Sequence, residues 1–434
     1  MKQSFLLAWR ALVRGHVLTL LLVATALAHL LLPALVRSDG TAEGWREMFV
    51  RAVPGTTYAF TVIAILACAC GFFAQERERF RLSLTVVRPA SAVGVAFGKW
   101  LALCLVGVLV YSFTAVLTLV HVPDPPPCMH HFAPTLPPPV EKAREMMDEY
   151  LANPKTPEFV KKASRSAVLR LLTNKELDRY DVVRSGASMS WPFDPSLAGA
   201  TNMLVRVRFA TQFDLRSPLE GVFTLGEMSA VVSNKTQSVV NVPLKRVEKV
   251  ERVERVEKVE EVGKVEEGEG LSLMFTNTGK ELVMLRPRRD LEVLVPADSF
   301  GMNLARAVVQ MLVVTALLSA FGLFLSSAFS RPVAVFTSLV TVAVALMAPS
   351  VVIQFPDEIE TTLSNKIGLL ITRTVYALTS TAGEMEPISA LATDSCIEWG
   401  ELLKCTLVSG VLLPLLLLGA TAFIVRRKPL ADHS

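Results

Sequence analysis

The chain has 434 residues, 51% of them apolar and only 19% charged, with a mean hydropathy of +0.44. Soluble domains carry about 25% charged residues, so an ordinary soluble domain is excluded for the whole chain. The net charge is +4, and no nucleic-acid partner is expected.

The apolar residues are clustered. About 20 mostly apolar residues cross a hydrocarbon core about 30 Å thick. Six runs qualify, at 17–36, 58–74, 95–120, 303–328, 332–353 and 402–425. Unpaired backbone groups are not tolerated in lipid, so each run should be a helix. The first run exceeds the usual apolar core of a signal peptide, about 7–15 residues, and is read as a retained span. Before it, residues 1–15 place Phe5, Leu6, Trp9, Leu12 and Val13 on one face, with Lys2, Arg10 and Arg14 nearer water. That is the pattern of an interfacial helix.

Flanking charge sets the orientation. Lys2, Arg10 and Arg14 precede the first span. Arg77, Arg79, Arg81, Arg88 and Lys99 crowd the 75–99 link after the second, Arg331 follows the fourth, and Arg426, Arg427 and Lys428 follow the sixth. With six spans all four sites fall on one side, and positive charge stays cytoplasmic. The expected fold is an α-helical membrane protein of the inner (cytoplasmic) membrane, with six transmembrane helices and both termini cytoplasmic. Residues 38–57, 121–301 and 354–401 then lie outside.

The 121–301 segment reads as a separate domain between the third and fourth spans. It opens with a Pro-rich stretch suited to an extended exit and continues as a charged, helix-like region over 141–184. From Leu204, Val205, Val207 and Phe209 onward it turns strand-like, with further strands near Val222, 271–275 and 291–295. A mixed α/β extracytoplasmic domain is expected. Within it, 245–269 is a charged repeat with valine at every third position from Val247 to Val265. That period fits neither a strand nor an α-helix, so a solvated, extended expansion inside a hairpin is expected, with a helical spoke as the alternative. Between the last two spans, 367–378 is apolar but short, as in a re-entrant or interfacial helix.

Residues suited to chemistry are sparse. Gly94–Trp100 superficially looks like a phosphate loop, but the spacing is one residue short of G-x-x-x-x-G-K-[ST], and Trp100 stands where Ser or Thr is needed. No nucleotide site is expected in this chain. Cys68, Cys70, Cys104 and Cys405 sit in or beside apolar runs, as small hydrophobes do. Cys128-Met129-His130-His131 offers soft ligands, but it matches no closed zinc pattern, and no metal is assigned. Cys128 and Cys396 both fall outside, where pairing in an oxidising compartment is open to them. His29 lies in the first span and reads as a packing residue. No span carries a mid-depth Asp or Glu, which weighs against a proton- or sodium-driven transporter. No nucleophile and base form a motif, so no catalytic residue is assigned.

The link carries one further pattern. Glu76-Arg77-Glu78, Leu82 and Leu84, then Arg88-Pro89-Ala90-Ser91, then Gly98-Lys99 entering a helix resemble the permease subunits of ABC-2-type exporters. The amphipathic start looks like their elbow helix, and the Ile424–Leu430 end like their closing basic segment. The chain departs from the family at Phe80-Arg81, where G-T-[LM] is common, and in carrying its external domain after the third span.

The resemblance implies a cytoplasmic coupling helix in the 75–99 link. Glu76, Arg77, Glu78, Arg79, Pro89, Ser91, Gly98 and Lys99 are then its coupling residues, set against a separate cytoplasmic ABC ATPase that binds the ATP and Mg. It also implies a second copy of this permease, or a related one, in the bilayer. No cofactor is expected in this chain. The substrate is not named by the sequence, although apolar spans poor in aromatic residues suit an amphipathic cargo. The alternative is a membrane-anchored scaffold whose external domain binds an envelope partner.

Overall fold

In chain order the helices are α1 (Lys2–Arg14), α2 (Val17–Leu35), α3 (Ala42–Glu78), α4 (Ala92–His121), α5 (Pro139–Ala152) and α6 (Arg165–Leu177). Then come α7 (Phe300–Ala328), α8 (Arg331–Gln354), α9 (Pro387–Ala392) and α10 (Trp399–Cys405), which runs through a π-helical segment, Thr406–Leu412, into α11 (Leu413–Ala431). The computed structural model describes residues 1–36, 42–78, 91–122, 125–153, 165–200, 202–209, 219–234, 239–246, 271–354 and 386–431, and the isolated positions 156, 368 and 370.

Among the described residues, five helices are long and apolar enough to cross a membrane: Val17–Leu35, Gly44–Glu76, Ala92–His121, Phe300–Ala328 and Trp399–Arg427. They mark a multi-pass membrane protein. The fifth expected run forms α8, 24 residues long, whose described apolar part, Arg331–Ala345, is shorter than a span. Helix α3 departs most from expectation. It spans 37 residues and starts well before position 58. Phe49, Val50 and Val53 follow helical spacing and are buried, so the helix continues through Pro54 into a stretch expected as a loop.

The chain divides into two compact units, one of Met1–Cys128 with Asp298–Ser434 and one of Met129–Ala297. In the first, α7 packs against α3, α4 and α11. A Cβ at Gly322 would lie 2.7 Å from the Ala69 Cβ, so a small residue here lets two helix backbones approach. Helix α1 lies along the start of α4. A Cβ at Gly98 would sit 2.8 Å from the Phe5 backbone nitrogen, which has no freedom to yield. Gly98→Ala is therefore expected to cost about 1–3 kcal/mol, the usual penalty for overpacking. It should also raise tryptic cleavage at Arg10 and Arg14. An unchanged cleavage rate would show that α1 does not depend on this contact.

The second unit is mixed α/β. Its strands are β1 (Met129–Phe132), β2 (Asp181–Val183), β3 (Ser188–Pro192), β4 (Leu204–Arg208), β5 (Leu219–Leu225) and β6 (Met228–Asn234). They continue with β7 (Val239–Pro243), β8 (Lys245–Arg246), β9 (Ser272–Asn277), β10 (Val283–Leu285) and β11 (Leu291–Pro296). They form a four-stranded sheet, β1-β11-β4-β7, a five-stranded sheet, β3-β9-β5-β6-β8, and the pair β10-β2. Val205 and Val207 oppose Val293 and Leu291 in register, and all four are buried. Phe209, Phe223 and Phe275 stack at the centre, with the last two rings 4.7 Å apart. Helices α5 and α6 bury Ala143, Val168 and Leu172 against each other. The strands expected at 204–209, 222–223, 271–275 and 291–295 correspond to β4, β5, β9 and β11. Strand β1 was missed, because its Met-His-His-Phe has no alternation and it is set by pairing with β11. The repeat over 247–265 and most of 367–378 lie outside the described residues.

Candidate functional site

The 79–90 link leaves from the end of α3 and returns at the start of α4, and these two ends are fastened together. Lys99 Nζ donates to Glu76 Oε2 at 2.5 Å, with the two side chains 5% and 30% exposed. The ammonium also lies 3.8 Å from the Phe73 ring centroid and 5.7 Å from that of Phe72. A buried charge needs such partners, since desolvation otherwise costs several kcal/mol (order of magnitude). The last turns of α3 are held from a second side, where the Phe73 and Ala74 backbone amides donate to Ser326 Oγ of α7 at 2.9 and 3.0 Å. Gly98, next to Lys99, admits α1. Four helices thus converge on the ends of the link.

Of the residues singled out in the sequence, Glu76 and Lys99 come together, and Gly98 adjoins α1. Ser91 is exposed at the position preceding α4 and makes no side-chain capping bond. Arg77 and Glu78 belong to the last turn of α3, with side chains outside the described ones. Arg79 and Pro89 lie outside the described residues altogether. The Glu76 carboxylate, named above among the coupling residues, is engaged within the chain by Lys99.

The opposite end of the same unit carries a polar cap, of which the sequence disclosed only that Cys128 and Cys396 could pair. Cys128 and Cys396 form a disulfide with a Cα–Cα distance of 5.1 Å. Cys128 N donates to Asp298 O at 2.8 Å. From α7, Asn303 Nδ2 donates to Ser395 O at 2.8 Å, and Asn303 Oδ1 accepts from Ile397 N at 3.0 Å. Arg306 pairs with Asp298, donates to Ile397 O at 3.0 Å and stacks on Trp399 at 4.4 Å. Arg46 pairs with Asp394, a non-glycine residue at φ 60°. The available signal was Arg306 itself, because a charge inside an apolar run requires a buried partner. His29, buried beside Phe49 and His121, donates Nδ1 to Thr25 O at 2.9 Å, as a packing residue should.

Cys128 is consumed by the disulfide, His130 is exposed, and His131 Nδ1 donates to Glu292 Oε2 at 2.9 Å. Among the described residues, no three His, Cys, Asp or Glu side chains gather as a metal site. Glu292 faces Arg206 across β11 and β4. The His131 hydrogen bond, aided by the charges of His131 and Arg206 and opposed by burial, holds the Glu292 carboxyl below the usual range. A carboxyl lowered in the folded state adds stability above its unfolded value of about 4.3, and loses it as pH falls through the folded value. Acidification below about pH 4 is therefore expected to loosen the β1–β11 pairing. Glu292→Gln should flatten that part of the acid response, read by Trp191 fluorescence; an identical acid profile in the variant would reject the assignment.

Comparison with known protein families, with curated proteins and with solved structures gives no match for this chain.

Proposed function

We propose that this chain is the membrane-spanning permease subunit of an ABC exporter, moving its cargo with ATP hydrolysed by a separate cytoplasmic ATPase. The observation that carries the reading is the fastening of the link. The Glu76–Lys99 pair closes the ends of 79–90 on each other, and Ser326 and the Gly98 contact tie the same point to α7 and α1. A push on a short link so anchored moves four helices together, which a loop serving only as a connection does not need. The order of the E-R-E, P-x-S and G-K residues supports the same reading.

On this account α8 is a sixth span, both termini are cytoplasmic, and residues 129–297 form an extracytoplasmic domain. The Cys128–Cys396 bond fits that side, since disulfides persist in oxidising compartments. The permease works as a pair of copies, or with a related permease, and the ATPase binds the link through the 79–90 residues. ATP-driven closure of the ATPases would shift the spans between two states.

The self-contained core of residues 129–297 favours a second reading, a membrane-anchored scaffold that binds an envelope partner. Scrambling 79–90 at constant composition separates the two. The permease reading expects loss of ATPase co-purification with normal membrane insertion. A scrambled chain that keeps its full cellular function would support the scaffold.

A further inference from the structure

Among the described residues, Lys2, Arg10 and Arg14 of α1 form no ion pair. The helix itself holds no acid, and none occurs in the chain before Asp39. Arg10 and Arg14 are four residues apart, so they are neighbours on one helix face and repel each other. Arg14 stands in the last turn, where the helix dipole favours a cation. Lys2 and Arg10 have no such reason to be there.

The inner face of α1 is committed to the protein. Ala8 and Leu12 are buried in one cluster with Val95 and Ala96, at the start of α4, and Gly98 meets the Phe5 backbone. After α1, Gly15 and His16, the latter at φ 57°, turn the chain into the apolar span Val17–Leu35. With the starts of two spans beside it, α1 lies at the membrane boundary. Its outer face exposes Leu6, Leu7 and Val13 among the three cations, which are exposed as well. Apolar side chains interleaved with unanswered cations match the edge of an anionic leaflet, which takes the first into its acyl region and the second at its phosphates. An acidic protein surface would answer the cations but gives the leucines nothing to enter.

We propose that the outer face of α1 is a binding site for anionic phospholipid, with one headgroup phosphate bridging Arg10 and Arg14. A phosphate between two guanidinium groups accepts charge-assisted hydrogen bonds from both and cancels the repulsion between them. Leu6, Leu7 and Val13 enter the acyl boundary beside it. Lys2 lies eight residues from Arg10, about 12 Å along the helix, too far for the same phosphate, and adds to the attraction of the same leaflet. The packing of α1 on α4 holds the site ready without the lipid. The inference needs no ATPase and stands apart from the proposed function.

The test uses the full chain purified in mild detergent, titrated with phosphatidylglycerol or phosphatidylcholine and read by native mass spectrometry. The wild type should bind phosphatidylglycerol in preference. Arg10→Gln and Arg14→Gln should each weaken that binding about fivefold, the share of one cation at a membrane surface, and together about 30-fold. Comparing wild type with variant isolates α1 from other cations, such as Arg426 and Arg427. Arg10→Lys with Arg14→Lys keeps the charge and should bind more tightly than the double Gln variant. All these side chains are exposed, so the melting temperature in detergent should not move. A wild type that binds both lipids equally would overturn the site. So would a double Gln variant indistinguishable from wild type, or displacement of the lipid by inorganic phosphate, which would show a site for a free anion.

Discussion

Glu76→Gln is expected to destabilise the membrane unit by about 3–5 kcal/mol, because it strands a charged Lys99 in a site that water scarcely reaches. The Lys99 side chain is 5% exposed, against 30% for Glu76, and this asymmetry makes the prediction sharper. Lys99→Met removes the buried charge and leaves a carboxylate with access to solvent, so it should cost less. The double variant Glu76→Gln with Lys99→Met has no buried charge left, and should approach wild-type stability, since an apolar replacement of a buried pair is often neutral. The order of the three midpoints in a thermal or denaturant series checks the claim. Equal losses in both single variants, with no recovery in the double, would mean that the pair is not the energetic unit described.

The second large effect is at the opposite end. Loss of the Cys128–Cys396 bond by Cys128→Ser is expected to cost about 2–4 kcal/mol. Its sequence separation of 268 residues would place the chain-entropy value near or above about 4.7 kcal/mol. The Cys128–Asp298 backbone bond and the Asn303 and Arg306 contacts hold the same ends together without it, which lowers the expected figure. Cys396→Ser and the double variant should show the same loss as Cys128→Ser, because each removes the same bond. Wild type should become reductant-sensitive and the variants should not. A wild-type chain whose melting is indifferent to reductant would contradict the assignment.

These two sites differ in how far the sequence disclosed them. Long apolar runs gave the helices α2, α4 and α7 nearly to the residue, since a membrane-length stretch has few alternatives. Strands β4 and β11 were legible from alternating valines. Helix α3 was cut short because Pro54 and charged neighbours resemble a loop, while the burial of Phe49 and Val53 that keeps the helix going arises from other elements. Glu76 and Lys99 stood out by their place in the link, but not as partners. They are 23 residues apart, and only the antiparallel packing of α3 and α4 brings them together. Pairing of Cys128 with Cys396 was open in the sequence, and the fold brings them within reach.

The central claim is that the fastened link serves a cytoplasmic ATPase. It is tested most directly by purifying the wild-type chain from native membranes in mild detergent and identifying what accompanies it. The account predicts an ATPase carrying a phosphate-binding loop, one copy per copy of this chain, lost when 79–90 is scrambled. Recovery of the intact chain free of any such ATPase, or with one that stays bound to the scrambled link, would contradict it.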